Sequence, residues 1–460
     1  MLGSATPGTE ESNVNNLKSV RQQLGWSQSR AISAIRAESR AAGVEAPAAA
    51  SLKTQLSRWE NGHRTPDAFY RRLLERTYGK PAEELGIGPS NAGDTSSLDI
   101  GRTSEDSAHQ ASQLWDEDMN RRDLLHSAAF TAMAFAGPAV AALVWSPVEA
   151  PSRINNGHRV DDHDIQAIQQ MTAGFSSVDN KHGGGQIRRA AVGYLTNEVA
   201  PLLTSGQFNG RTGGALFVAA AELTQLVGWM SHDIGSHGLG QRYLIQALGL
   251  ARSANDEALM AEILAAMSHQ ATYLGQGAEA VDLARAARQL ATHRGVAALV
   301  AEAHVMEAHG YAALGQSSLC ATSVDLAEKA LDSADRTTEP HWIGYFDEAY
   351  LSAKFGHCFR VLGDNTNAIN FAERSLNMNS QHYARGHAFN LSLLAHAHAQ
   401  AGDVDQACTI AQQAVTATSG LRSERAFNYL DGIRTALKPA RSTPSVVQLD
   451  QAVEQLRTAA

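Results

Sequence analysis

LGQGAEAVDLARAARQLA, residues 274–291, is a helix end, a glycine and the start of a second helix. It returns in altered form as LGQSSLCATSVDLAEKALD from Leu314, LGDNTNAINFAERSLN from Leu362 and AGDVDQACTIAQQAVT from Ala401. The glycines Gly275, Gly315, Gly363 and Gly402 are 40, 48 and 39 residues apart. In three of the four copies an alanine follows nine residues on: Ala284, Ala372 and Ala411. An earlier copy is visible in WMSHDIGSHGLGQRYLIQALGLARSAND from Trp229. A period of this length predicts stacked helical hairpins. The glycine supplies a left-handed cap to the first helix, and the alanines let the helices approach closely. Each hairpin is then expected to bury its apolar face only on its neighbours, as in an extended solenoid. Helical patterning of this kind runs from 160 to 438, and a terminal helix is expected over 446–457, after the breaker PARSTP.

The bulk composition agrees with a helical chain. Of 460 residues 43% are apolar and only 18% charged, and alanine, the best helix former, is abundant. The length implies two or more domains. Cys320, Cys358 and Cys408 show neither a disulfide framework nor a zinc pattern, which fits a reducing cytoplasm. The first sixteen residues, MLGSATPGTEESNVNN, read as a disordered lead-in and not as a signal peptide.

The net charge of −9 is unevenly spread. Residues 13–87 carry twelve Lys and Arg against seven Asp and Glu, a net of +5, which leaves −14 for the rest. A basic head on an acidic body fits nucleic-acid binding. The pattern of the head predicts a helix over Asn16–Gln23, a second from Gln28 to Ala41 capped by Ser27, and a third, LKTQLSRWEN, capped by Ser51 and stopped by Gly62. On the third helix Leu52, Leu56 and Trp59 share a face. Lys53, Thr54, Ser57, Arg58 and Asn61 point away from it, a set suited to base edges and phosphates.

LKSVRQQLGWSQ, LSRWENGHRTP and FYRRLLERTYG together resemble the Cro/C1-type (XRE) helix-turn-helix family. The resemblance implies that the third helix enters the major groove of double-stranded DNA. Gln28 would contact a phosphate, and Arg64 would reach the backbone. Arg21 and Glu60 match the family's internal ion pair. AISAIRAESRAAGVEAPAAA departs from the family, separating the second and third helices by roughly ten residues more than usual. The hairpins are similar to tetratricopeptide repeats. The whole chain resembles actinobacterial regulators that join such a head to a repeat tail, as VDNKHGGGQIRRAAVGYLTNEVAPLL and MSHQATYLGQ illustrate.

Between head and tail, residues 88–120 are rich in Gly, Ser, Asp and Asn and read as a flexible linker. RRDLLHSAAFTAMAFAGPAVAALVWSPV, residues 121–148, has the length of a membrane span. It is alanine-rich, interrupted by His126, Ser127, Thr131 and Ser146, and broken by Gly137–Pro138. An apolar helical joint over 121–150, packed on the first repeats or in a dimer contact, is the better reading.

Eighteen histidines raise the question of metal. His232 and His237, His304 and His309, and His382 and His387 are each five apart, a poor spacing for one ion on a helix, so no metal site is expected. HGGGQ, 182–186, lacks the spacing of a phosphate loop and reads as a turn. Cys358 beside His357 points elsewhere on a helix and reads as a buried thiol, and Asp161, Asp162 and Asp164 read as a helix start.

The expectation is an all-α chain with an N-terminal helix-turn-helix domain over 13–87 and a C-terminal α-solenoid of tetratricopeptide-like hairpins over 160–438. It would act as a cytoplasmic transcriptional regulator, a homodimer on DNA, with a peptide, small molecule or protein on its repeats modulating DNA binding. No enzymatic activity or cofactor is expected. The alternatives are a membrane-anchored regulator with an extracytoplasmic sensor and a repeat adaptor that has lost DNA binding.

Overall fold

The computed structural model of the chain describes residues 16–41, 49–60, 66, 68–80, 84–87, 98, 100, 101, 103–120, 130–143 and 149–459. The lead-in up to residue 15 and the linker residues 88–97 lie outside these. Among the described residues the regular structure is helical. Extended pairing is limited to two isolated bridges, Arg153 with Phe208 and Arg159 with Gln207. The fold is all-α, and the chain divides into two compact units, Met1–Ser96 and Ser97–Ala460.

The first unit holds α1 (Leu17–Gln23), α2 (Gln28–Ala41), α3 (Ala49–Glu60) and α4 (Ala68–Tyr78). Ser27 caps α2 as expected, its Oγ accepting from the Arg30 amide at 3.2 Å. α3 begins two residues before the expected cap, so Ser51 lies inside the helix. Ala49 and Ala50 are strong helix formers and extend it backwards. The extra residues between α2 and α3, 42–48, lie outside the described residues. Leu17, Val20, Ile35, Leu52, Leu56, Trp59 and Leu74 form one core.

The second unit corrects the linker reading. Residues 104–120, expected to be flexible, form α5 (Ser104–Asn120). Ala108, Ala111, Leu114 and Trp115 make an apolar stripe at helical spacing, and all four are buried. Asp118 pins the helix by accepting from the Arg188 guanidinium and, at 2.6 Å, from the Tyr243 hydroxyl. In the expected joint, a 3₁₀ turn, Ala132–Phe135, leads into α6 (Ala136–Leu143). Pro138 falls in the first turn of α6, where its missing N–H leaves no bond unmade. Eight residues rise about 12 Å, well short of a bilayer core of about 30 Å. Phe135, Ala139 and Ala142 are buried in the core of the unit. Residues 121–129, with the paired Arg121 and Arg122, and 144–148 lie outside the described residues.

The array itself follows. α7 (Asp162–His182) and α8 (Gly184–Tyr194) lead through a π-turn, Leu195–Val199, to the short α9 (Ala200–Ser205). Asp161 caps α7 in a capping box, which accounts for the acidic run. Five hairpins come next. They are α10 (Gly210–Asp233) with α11 (His237–Ser253), α12 (Glu257–Tyr273) with α13 (Gly277–Arg294), α14 (Ala297–Ala313) with α15 (Ser317–Asp332), α16 (Glu348–Leu362) with α17 (Asn365–Ser375), and α18 (Ala384–Ala401) with α19 (Val404–Thr418). α20 (Glu424–Ala436) and α21 (Pro444–Ala459) complete it. The first helices α10, α12, α14, α16, α18 and α20 pack on one another in order and form a continuous inner layer.

The repeat glycines do what their spacing predicts. Gly275, Gly315, Gly363 and Gly402 have φ of 76, 70, 78 and 83°, and a Cβ at any of them would meet nothing within 4 Å. Backbone conformation alone therefore selects glycine there. Ala284, Ala372 and Ala411 are fully buried at the helix contacts. Among the described residues α10 is the one helix long and apolar enough to cross a membrane, and most of it is buried in the unit.

Contact between neighbours alone does not describe the array, however. α7 packs on α18, far along the chain. The Arg385 guanidinium grips Asp179 at 2.8 and 2.7 Å and reaches Asp233 at 3.2 Å. Asp233 also accepts from the Gly184 amide and the Ser423 hydroxyl, both at 2.9 Å. HGGGQ forms the seat of this latch. The Arg422 amide donates to the His182 carbonyl at 2.7 Å, and the Gly185 amide to the Arg422 carbonyl at 2.9 Å. A Cβ at Gly183 or Gly185 would lie 2.8 or 2.9 Å from the Arg422 oxygen, and one at Gly184 would lie 2.6 Å from that of Met230. HGGGQ is the turn between α7 and α8, as expected, and its three glycines also let the backbones of Arg422 and Met230 pass at close range.

Candidate functional site

In the first unit, α1 and α3 are tied by a buried polar lock. The Arg21 guanidinium bonds both carboxylate oxygens of Glu60, and its third nitrogen donates to the Trp26 carbonyl at 2.7 Å. Glu60 raises the Arg21 pKa further through that hydrogen bond. Gln28, expected at a phosphate, donates to Glu60 Oε2 at 3.0 Å and so belongs to the lock in this structure. Lys53 is exposed on α3, opposite the buried Leu52, Leu56 and Trp59. Ser57 is half-buried on the same helix. The side chains of Thr54 and Arg58, and all of Asn61 and Arg64, lie outside the described residues.

The second unit contains a cavity of about 300 Å³ on the inner layer. Its walls come from α12, α14, α16, α18 and α20 and include His269, Tyr273, His309, Lys354, His357, Arg360, His396 and Tyr429. No carboxylate lines it among the described residues. Lys354 is buried, and its Nζ lies 3.0 Å from His269 Nδ1 and 4.9 Å from the centre of the Tyr350 ring. Arg360 is half-buried, with His396 Nε2 at 3.5 Å. His309 donates through Nε2 to the Lys354 carbonyl at 2.8 Å.

These residues follow a register. Counting back six residues from each left-handed glycine, Gly235, Gly275, Gly315, Gly363 and Gly402, gives Trp229, His269, His309, His357 and His396. Counting back thirteen gives Glu222, Glu262, Glu302, Tyr350 and Phe389. Positions seven apart share one helix face, so each of the five inner helices α10, α12, α14, α16 and α18 presents the same two positions on one face. Ring centroids step 5.1 Å from Trp229 to His269, 6.5 Å to His309, 6.1 Å to His357, and 5.7 Å onward to Tyr429. Pairs of histidines within one helix gave no hint of this. Aligning the copies on their glycines exposes it. The pair His232 and His237 is also not on one helix: it flanks the α10–α11 turn, with the two Nδ1 atoms 2.9 Å apart.

Burial and the neighbouring cations keep the imidazole column neutral. Burial first, then Lys354, holds His269 well below the usual histidine range and His309 down to about 3. Burial and Arg360 do the same to His357 and bring His396 to about 4. Burial, with Arg425 nearby, pushes Lys354 down to about 7. Cys358 is buried against Cys320, and burial raises its thiol well above the ordinary value. Among the described residues no group of three or more His, Cys, Asp or Glu is placed to hold a metal ion.

Three of the five residues in the second row are acids, and two of these, Glu262 and Glu302, are buried. Tyr345 donates to Glu262 at 3.0 Å and lies 2.8 Å from Glu302, and Gln225 donates to Glu262 at 3.1 Å. Burial, and then Glu262, holds the Glu302 carboxyl protonated far above its ordinary range. A carboxyl that is neutral when folded and free to ionise when unfolded loses stability for the fold as pH rises above the ordinary carboxylate value. Glu302→Gln copies the neutral acid. Its stability relative to wild type is therefore expected to climb between pH 5 and pH 8, by up to about 1.4 kcal/mol per unit. Urea unfolding at several pH values reads this, and a flat difference rules out a protonated Glu302 in the folded chain.

No family model matches the chain, and no curated protein matches it.

Proposed function

We propose that the chain is a sequence-specific DNA-binding transcriptional regulator of the cytoplasm. Its first unit is a helix-turn-helix head. Its second is a solenoid of tetratricopeptide-like hairpins whose ligand, peptide, small molecule or protein, modulates DNA binding. The observation that carries the reading is the buried Arg21–Glu60 lock between α1 and α3. It stands where the Cro/C1-type resemblance requires an ion pair, and it fixes α3 with Lys53 outward. The net charge of +5 over residues 13–87 gives the head the sign needed for phosphates. The cavity gives the body a place for a ligand. Two heads on a homodimer would read a two-fold site, and a ligand that binds one dimer arrangement better than another would shift DNA affinity.

The test is selection from fragmented genomic DNA on the full-length protein, followed by a salt titration of the enriched fragment. Lys53→Ala and Arg58→Ala are each expected to weaken retention and, where the lost contact is to phosphate, to flatten the salt dependence by about one ion. Absence of any enriched sequence, or retention unchanged in both variants, refutes the assignment.

A further inference from the structure

The geometry points to a compact, oxyanion-bearing small molecule, a carboxylate or a phosphate ester, as the occupant of the inner cavity, its charge met by Lys354 and Arg360. The proposal rests on the reading of the body as a ligand-binding unit, though not on DNA binding by the head. Lys354 and Arg360 stand on α16 one turn to either side of His357, and both line the cavity. Among the described residues neither forms an ion pair with a carboxylate, Glu302 acting on Lys354 only from beyond ion-pair distance, and no carboxylate lines the space they face. Nearby acids are engaged elsewhere. Asp233 is held by Arg385, and the Glu262–Glu302 pair by Tyr345. Burying a cationic side chain without a counter-charge is unfavourable. An arriving oxyanion supplies the missing partner.

The rest of the lining suits the same guest. His269, His357 and His396, kept neutral, can each offer one N–H to an oxygen without adding charge of their own. Tyr273 and Tyr429 give flat walls for a ring. A volume of about 300 Å³ is at the small end for ligand pockets and suits a compact molecule better than an extended peptide. The repeat register shows what sets the site apart. At the position nine before the glycine, the copies carry Leu226, Ala266, Met306, Lys354 and Leu393. Three before, they carry His232, Thr272, Ala312, Arg360 and Ala399. Only the α16 copy places Lys and Arg at these two positions, so the cationic pair is specific to the middle of the cavity.

Calorimetric titration of the full-length protein, without DNA, tests this with phenyl phosphate, benzoate and uncharged benzamide as probes. At least one of the two anions is expected to bind about tenfold or more tightly than benzamide, and which of them does so separates phosphate from carboxylate. Lys354→Met is expected to lose about tenfold or more of that affinity while melting no lower than wild type, since a buried cation without a counter-charge is replaced by an apolar chain of similar length. Arg360→Gln, at a half-buried position, provides a second variant should the first not fold, and it is expected to weaken the same anion. Equal binding of all three probes, or no binding of either anion, overturns the proposal. So does anion affinity unchanged in the variants. DNA retention is measured separately, so failure of the head's assignment and failure of this one give different results.

Discussion

Arg385→Ala is expected to lower the stability of the second unit by about 3–5 kcal/mol, the range for breaking a buried ion pair from one side. The arginine is the common partner of Asp179 and Asp233, whose side chains are 3% and 1% exposed. Asp233 keeps its bonds from Ser423 and the Gly184 amide. Among the described residues Asp179 keeps no other side-chain hydrogen bond, only the more distant charge of Arg425, and burial already pulls its carboxyl above the ordinary value even with Arg385 present. In the variant that carboxyl has to be protonated to stay buried. A raised folded pKa means stability that is present in acid and lost as pH rises. The damage should therefore be smaller at pH 5 than at pH 8. Asp179→Asn added to Arg385→Ala should recover part of the loss, because a neutral amide replaces an unpaired charge. Urea unfolding followed by circular dichroism at both pH values measures all of this. A loss under about 1 kcal/mol would mean that the latch is not a stabilising contact.

Arg21→Ala should have an effect of similar size on a much smaller unit. Removing the arginine strands Glu60, whose side chain is 2% exposed, beside Gln28, a partner of no charge. About 3–5 kcal/mol is again the expected loss. A domain of this length has only a modest reserve, so the head should be largely unfolded at 37 °C while the second unit stays intact. Hydrogen exchange resolved by segment would show α1 to α4 exchanging freely and α10 to α20 protected. Glu60→Gln, which keeps the shape and one acceptor, should be milder. If the head binds DNA as proposed, retention should disappear with its protection, and a variant that keeps full protection of α3 would contradict a stabilising role for the lock.

The all-α class and many helix limits were legible in the sequence because they depend on local signals. Ser27 capped α2, the repeat glycines took the left-handed conformation, and Ala284, Ala372 and Ala411 lay at close helix contacts. α5 was missed because its Ser and Asp content outweighed a stripe that holds only Ala108, Ala111, Leu114 and Trp115. Local composition reports what a segment shows to water as much as what it buries. The latch could not be foreseen, since it joins Asp179 to Arg385 across more than two hundred residues. The cavity lay between these cases. Its histidines are regular only across copies, and a comparison of neighbours within one helix scatters them.

The glycine seat at Gly183–Gly185 bears on how the body comes apart. A linear stack unravels from its ends, because a terminal unit has one neighbour and can fray without disturbing the rest. Here the early helices α7 and α8 are fastened to α18 and to the turn before α20, which encloses the intervening hairpins in a single circuit. No hairpin within it can be peeled away without also breaking the fastening. Loss of structure should then be all-or-none across α8 to α20, with one exchange-protection level instead of a gradient, and a side chain larger than glycine at Gly185, which meets the Arg422 backbone, should restore the gradient by holding the circuit open.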